Sequence, residues 1–416
     1  MINLYIIYEF STAAVYGIGT YIQELTETLK SSGVNVCVIY LRSERKDMWI
    51  DESDGIRYWY IPASITMNNY TKNEEHFKRY YRNILYLLQL CIDKNDILIF
   101  QMNHMHCKPL ADLLNTSFKC KTVLVVHYLD SIMALSGNIS RLSKIKSQFD
   151  DLTDKVEKLV KSSSMKEKDF LQSHSIDKII CLSNHCFDLL HHDYQIDKEK
   201  IVVIKNGLTD SQQTTDKYLL RRKYNIPDIP IILFVGRIDD VKGLTYALRA
   251  FRMVLDTFPR CHFIIAGDGN FKVFMKECED IWMSVTWTGL ISKDKLYDLY
   301  SIADIGIMPS FHEQCSYVAI EMMMHGIPLI ASTSTGLKEM VEDRVTGLHI
   351  PVIEHQVKVE IDTALLAEKM LYLLEHPEER NRMSMNARHR YESVYSTDIF
   401  RQNMLDFYQS LISHGC

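Results

Sequence analysis

The chain has 416 residues, 47% of them hydrophobic and 24% charged, the composition of a soluble globular protein long enough for two domains or more, each burying its own core. A formal net charge of −6 provides no overall positive field to draw in a polyanion, which argues against a nucleic-acid partner. Ten cysteines without a paired CxxC spacing, several inside apolar runs (Cys37, Cys181, Cys261), read as buried free thiols of a reducing compartment.

The first residues, Met1 to Phe10, carry no basic leader and no small-residue cleavage site; they read as a strand over 3–8, and the chain is expected in the cytoplasm. No later segment approaches the length needed to span a bilayer, Ile84 to Ile92 being too short and interrupted by Gln89. A helix is predicted over 19–32, closing near Gly33, and a strand over 34–41, which makes a βαβ unit. Its first loop, Tyr16-Gly17-Ile18-Gly19-Thr20, allows the backbone to approach a phosphate or sugar closely. A third glycine is missing and no acidic residue clearly ends the second strand, so a dehydrogenase is discounted. Further strands are expected at 56–61, 96–101 and 121–126, the last running into His127, which places that histidine on the ligand edge of a parallel sheet or, more ordinarily, makes it a packing residue. His104-Met105-His106-Cys107 and the Cys181–His185–Cys186 group lack the repeated ligand spacing of a zinc site, and no metal is assigned. Residues 141–178 are rich in lysine, with Leu152, Val156 and Leu159 at helical spacing; they read as an amphipathic helix whose basic face could also rest on an anionic membrane or acceptor. Strands at 178–182 and 200–204 complete a first domain, 1–205.

A turn at Asn206-Gly207 and a polar linker from Thr209 to Lys217 lead into a second set of alternating elements. A strand over 229–235 delivers Gly236-Arg237, and Lys242-Gly243 follows just before a helix. Arginine and lysine so placed can both reach one diphosphate, although a pair of surface cations would look the same. Two more strands end at Ala266-Gly267-Asp268-Gly269 and at Thr288-Gly289, and a short one over 303–309 opens the polar loop Ser310 to Glu321, whose helix stops at Gly326-Ile327-Pro328. Glu313 in that loop and Glu321 in the helix can accept hydrogen bonds from hydroxyls, while the first helix amides suit an anion. A sugar nucleotide carries both groups.

In this order, over nearly 150 residues, the pieces Asn206-Gly207, Gly236-Arg237 with Lys242-Gly243, Ala266-Gly267-Asp268-Gly269, Thr288-Gly289, Ala303-Asp304 with Pro309-Ser310, Glu313 and Glu321, Gly326-Ile327-Pro328, and Gly336 through Thr346-Gly347 resemble the retaining glycosyltransferases of family 4, the glycogen-synthase-like or group 1 enzymes. The first half resembles them more loosely, through Gly17, Gly19, His127 and Ser183. The resemblance implies an α/β GT-B fold: two Rossmann-like, doubly wound parallel-sheet domains facing across a cleft, with an acceptor domain over 1–205 and a donor domain over 206–385. Closing helices over 386–416 follow, the last crossing back to the first domain. It further implies that Arg237 and Lys242 hold the donor diphosphate, that Glu321 binds the ribose and Glu313 the transferred sugar, and that His127 contacts the sugar near the reacting carbon. Gly17 and Gly19 would approach the phosphates, and Gly236, Gly267, Gly289 and Ser316 would complete the donor-binding set. The chain departs from the pattern in two places: Tyr16 stands where many members have a first glycine, and Cys315-Ser316 where an aromatic residue and a glycine are common. The implied chemistry is transfer from a nucleoside-diphosphate sugar to a hydroxyl of a glycan, lipid-linked glycan or peptide, with retained configuration, no cofactor, and no metal, since an Asp-x-Asp motif is missing. Polysaccharide biosynthesis is the family's default setting. A nucleotide-sugar epimerase and a catalytically silent scaffold on the same fold are the alternatives.

Overall fold

The computed structural model describes residues 2–9, 17–30, 32–63, 74–92, 96–147, 154–211 and 216–413. The chain divides into two compact units, one of residues 1–129, 161–207 and 397–416, the other of 130–160 and 208–396. Residues 130–160, which the sequence reading left with the first half, group with the second because side chains hold them there. Asn138 Nδ2 donates to the His355 carbonyl at 2.8 Å, Arg141 Nη1 donates to the Val357 carbonyl at 3.1 Å, and the Ser140 amide donates to the Glu354 carboxylate at 3.0 Å.

The first unit is built on an eight-stranded sheet: β1 (Ile2–Glu9), β2 (Val34–Ser43), β3 (Trp49–Ser53), β4 (Ile56–Pro62), β5 (Ile97–Met102), β6 (Cys120–Val126), β7 (Lys178–Cys181) and β8 (Ile201–Val203). The order is β3-β4-β2-β1-β5-β6-β7-β8, parallel throughout except for β3 against β4. The inner strands are near-continuous apolar runs because helices cover both faces; in β1 the last six residues are all buried. The edge strand β3 is exposed along its whole length and has no apolar alternation, which is why sequence periodicity passes over it. Helix Gly17–Leu29 buries Ile18, Tyr21, Ile22, Leu25 and Leu29, one face at a period of 3.6. It begins at Gly17, two residues before the predicted start. The terminal helix Thr397–Ser413 docks on the same unit through Phe400 against Tyr21 (5.8 Å between rings), Arg401 Nε on the Thr28 carbonyl (3.0 Å) and the buried Tyr408 hydroxyl donating to Gln101 Oε1 at 2.6 Å.

The lysine-rich stretch predicted as one helix over 141–178 is two, Ile139–Ser147 and Lys155–Leu171; Leu152 lies outside the described residues. Of the predicted apolar stripe, Val156 and Leu159 are 42% and 60% exposed, and the buried side of the second helix is Val160, Ser164, Glu167 and Phe170 instead. A polar residue can occupy that side because it is paired: Glu167 accepts from the buried Tyr194 hydroxyl at 2.6 Å. Among the described residues no helix is long and apolar enough to cross a membrane. The nine described cysteines are free thiols: seven are buried, Cys120 is half-buried, and Cys91, the last residue of helix Glu74–Cys91, is exposed.

The second unit carries a six-stranded, wholly parallel sheet of β9 (Ile231–Val235), β10 (His262–Ala266), β11 (Val285–Gly289), β12 (Ile305–Met308), β13 (Leu329–Ser332) and β14 (Gly347–Ile350), in the order β11-β10-β9-β12-β13-β14. A small antiparallel hairpin of β15 (Val352–Glu354) and β16 (Val359–Ile361) follows. The predicted linker is not all linker: Asp216 caps helix Lys217–Lys223, accepting from the Tyr218 amide, and Lys217 is tied to Asp304 at 2.8 Å. Asp304 is the anchor here, since it also accepts from Arg221 (3.0 Å) and from the Ile231 amide that starts β9 (2.8 Å). Arg221 is almost fully buried. Asp304→Ala removes its main counter-charge and is expected to cost about 3 kcal/mol, read as a lower urea midpoint.

Candidate active site

In an open parallel sheet ligands sit at the carboxyl edge where the strand order reverses. In the second unit that point lies between β9 and β12, and the residues leaving those two strands are Gly236-Arg237 and Pro309 onward. Beside it the strand ends are laced together: the Gly236 amide donates to the Ala266 carbonyl at 3.0 Å and the Gly267 amide to the Gly289 carbonyl at 3.1 Å. The approach is so close that a Cβ on Gly267 would stand 1.8 Å from the Gly236 oxygen, with φ at +150° besides. Gly236, Gly267 and Gly289 thus form one edge, as the sequence pattern suggested.

Arg237 and Lys242 are brought to this edge by one short turn. The Asp239 carboxylate receives the Arg237 guanidinium at 3.1 Å and the Lys242 amide at 3.2 Å, so a single acid fixes both cationic residues. The turn is pressed onto the neighbouring loop: the Phe311 amide donates to the Val241 carbonyl at 2.8 Å, and a Cβ on Gly243 would lie 2.2 Å from the Pro309 oxygen. The Lys242 ammonium meets the Glu313 carboxylate at 2.5 Å, both side chains being largely shielded from solvent. Arg237, by contrast, is 40% exposed and available to a ligand.

Glu313 is held by a second turn. Its amide donates to Thr335 Oγ1 at 2.9 Å, its carbonyl accepts from the Gly336 amide at 2.7 Å, and the Thr335 hydroxyl also donates to that carbonyl. Glu321 sits in helix Tyr317–Met324, buried, with Oε2 accepting from the buried Tyr300 hydroxyl at 2.8 Å. Burial, and then the neighbouring Glu321 charge, hold that phenol well above the usual range, so it stays a donor. The helix ends as predicted at Gly326, whose φ of +65° is left-handed. The amide of Ser316, which the resemblance adds to the donor-binding set, donates to the Met340 sulfur at 3.2 Å. A thioether is a weak acceptor.

His127, Gly17 and Gly19 belong to the first unit. Gly17 and Gly19 stand in the first turn of their helix and not in a loop ahead of it, and Tyr16 lies outside the described residues. His127 follows β6 directly; its Nε2 is 3.1 Å from Asn103 Oδ1, and Asn103 in turn donates to the Ile7 carbonyl at 3.1 Å, spanning β1 and β5 at this sheet's own reversal point. Burial, with His104 adding, holds His127 down to about 3; burial, with His106 and Arg42 adding, holds His104 down to about 4. Both imidazoles are therefore neutral near pH 7. Because their folded values lie below the usual 6.5, the unfolded chain binds protons that the folded one refuses as pH falls. Stability is expected to be level above pH 6.5 and to drop below it by up to about 1.4 kcal/mol per unit for each histidine. Urea midpoints at pH 7, 6 and 5 check this, with a shallower slope expected for His104→Gln.

Sequence reasoning missed Tyr300, Asp239, Thr335 and Asn103. Each acts by holding another side chain or a backbone turn, and such a residue carries no spacing of its own. Asp239 alone had a local signal, an acid three residues before Lys242 at the start of a helical turn.

The profile of "Glycosyl transferases group 1" matches residues 216–390 and that of "Glycosyltransferase Family 4" matches 15–212. Alpha-D-kanosaminyltransferase of Streptomyces kanamyceticus is 26% identical over 250 residues, 58% of this chain and 63% of that protein. The lipopolysaccharide 1,2-N-acetylglucosaminetransferase of Salmonella typhimurium is 28% identical over 180 residues, 40% of this chain and 47% of that one. The chain is thus matched over about half to three-fifths of the length of these relatives. Among solved structures, sucrose-phosphate synthase from Thermosynechococcus elongatus superposes with a TM-score of 0.75 at 20% identity over 100% of both chains. The Anabaena HepE protein in complex with UDP-glucose gives 0.70 at 13%, covering 98% of this chain and 99% of that one. These two likenesses carry the fold.

Proposed function

The chain belongs to the group 1 glycosyltransferases of GT-B type, and on that premise we propose that it moves a sugar from a nucleoside diphosphate to an acceptor hydroxyl with the anomeric configuration retained. The observation that carries the reading is the gathering of Arg237, Lys242 and Glu313 at the reversal point of the second sheet, with Glu321 in the helix that follows. Breaking a glycosyl phosphate leaves negative charge on the diphosphate, and fixed cations there favour the transition state over the ground state. Arg237, exposed and set by Asp239, and Lys242 take that role in place of a divalent ion. Glu313 accepts hydrogen bonds from the transferred sugar, and Glu321, oriented by Tyr300, from the ribose. A phenol donating to one carboxylate oxygen fixes the direction in which the other accepts.

The acceptor is a glycan, a lipid-linked glycan or a peptide, in the setting of cytoplasmic polysaccharide or glycoconjugate synthesis. The lysine-rich stretch 141–178 is offered to an anionic membrane as a peripheral contact. Calorimetric titration of the purified chain with UDP, GDP and ADP, with and without magnesium, tests the core of this proposal. One nucleotide is expected to bind without metal, and Arg237→Ala and Glu321→Ala to weaken it by about tenfold or more. Binding of none of the three, or equal binding by both variants, would put a silent scaffold in the place of the enzyme.

A further inference from the structure

The second unit contains a cavity of about 360 Å³ that the transfer reading does not use. It lies beside the Lys242–Glu313 pair without including it, and shares only the backbone supports of that pair, Gly243 and Phe311. Three cationic side chains from three distant stretches of sequence line it: Arg141 from helix Ile139–Ser147, Arg249 from helix Leu244–Thr257, and Lys358 from the hairpin. Among the described residues only one acid, Asp240, faces the same space.

Each cation is held from outside the cavity wall. Arg141 Nη2 meets Glu157 at 3.1 Å, Arg249 makes a two-pronged pair with Glu277 at 2.6 and 3.1 Å, and Lys358 Nζ meets Glu360 at 2.5 Å. These acids orient the cations and leave donors over. Among the described residues the buried Arg141 Nε has no hydrogen-bond partner, and Arg249 Nη1 bonds to none of them. Helix Leu244–Thr257 adds its positive end, because Thr245 and Tyr246 of its first turn line the cavity and no acidic residue stands in that turn.

We infer that this cavity binds a phosphate-bearing saccharide. Three donors arriving from separate directions match the three oxygens of a phosphate better than the two coplanar oxygens of a carboxylate. The remaining lining suits a sugar ring: the hydroxyls of Thr245 and Tyr246 meet ring hydroxyls, and the Phe311 side chain meets a C–H face. The volume lies at the small end of ligand pockets and fits one ring with its phosphate. Such a ligand comes from one of two sources, the acceptor itself or a free sugar phosphate that regulates the enzyme. Binding stands apart from the transfer reading, whereas assignment of the source rests on it.

The test is calorimetric titration of the full chain with glucose 6-phosphate, inorganic phosphate and glucose, run beside the nucleotide titration. Glucose 6-phosphate is expected to bind more tightly than phosphate, and glucose not at all. Arg249→Gln and Lys358→Gln, both at the surface, are expected to weaken it by about tenfold each while nucleotide affinity and melting temperature stay unchanged. No binding of either phosphate compound up to about 10 mM, or equal binding by both variants, overturns the inference whether or not the nucleotide binds. With donor present, glucose 6-phosphate carried into product identifies the acceptor as the source. A changed transfer rate with glucose 6-phosphate recovered intact identifies an effector.

Discussion

Replacing Lys242 by Met is expected to lower the rate of sugar transfer by about 10²–10³-fold, the usual loss when one fixed charge-stabilising group is removed from a reacting centre. This lysine is paired to Glu313, the residue proposed to hold the sugar. The pair compensates both charges, and on the proposed assignment a diphosphate would compete with Glu313 for the ammonium. The competition can be read directly. Glu313→Gln frees Lys242 for the phosphates and is expected to hold bare nucleotide diphosphate several-fold more tightly, while transfer slows for want of the sugar contact. Lys242→Met is expected to lose on both counts, and to lose some stability as well, because Glu313 then remains shielded without a counter-charge. Initial rates with the donor, set against nucleotide affinity measured separately, check these signs. A Lys242→Met enzyme within threefold of wild type would remove the ammonium from the mechanism.

Gly336→Ala is expected to be at least as damaging, although residue 336 is assigned no contact with a ligand. The added methyl would stand 1.7 Å from the Gln314 carbonyl oxygen and 2.6 Å from its carbon, both backbone atoms of the loop that carries Glu313. Relief requires that loop to move by more than 1 Å, which breaks the 2.7 Å bond from the Gly336 amide to the Glu313 carbonyl. The expected result is a loss of about 3 kcal/mol or more in the urea midpoint, together with loss of transfer. Substitution at Gly17, where an added methyl would meet no described atom within 4 Å beyond its chain neighbours and its own helix backbone, is the contrasting control and is expected to leave the fold intact.

Much of the second unit could be read from its residues because glycine and proline mark it so often. Gly236, Gly267, Gly289 and Gly326 each answer to a close approach or a left-handed φ, and both constraints leave a trace in sequence. The strand ends, the loop after β12 and its helix therefore came out near their observed places. What escaped falls into two kinds. The exposed strand β3 and the short strands β13 and β14 are too brief or too irregular to show a period. The other kind is set by tertiary contacts alone: residues 130–160 join the second unit through Asn138, Ser140 and Arg141, whose partners lie more than 210 positions away. The partner of the Ser316 amide is hidden for the same reason, since Met340 reaches it from 24 residues further on. Local patterns hold no record of such partners.

The distribution of thiols makes the chain a reporter on itself. Maleimides and disulfide reagents attack the thiolate at a rate set by access and ionisation, and burial pushes the Cys37 and Cys261 thiols up to about 12 and Cys278 to about 11. Cys91, exposed at the end of its helix, is open to label in the native protein. Among the described thiols, label on Cys91 therefore marks a defined surface position on the first unit, and label on any of the seven buried ones counts the opening of buried structure. Cys37 and Cys181 lie in the first sheet, while Cys261 and Cys278 belong to the second unit. Mass spectrometry of partly labelled peptides thus separates the unfolding of one half of the chain from that of the other without any engineered probe.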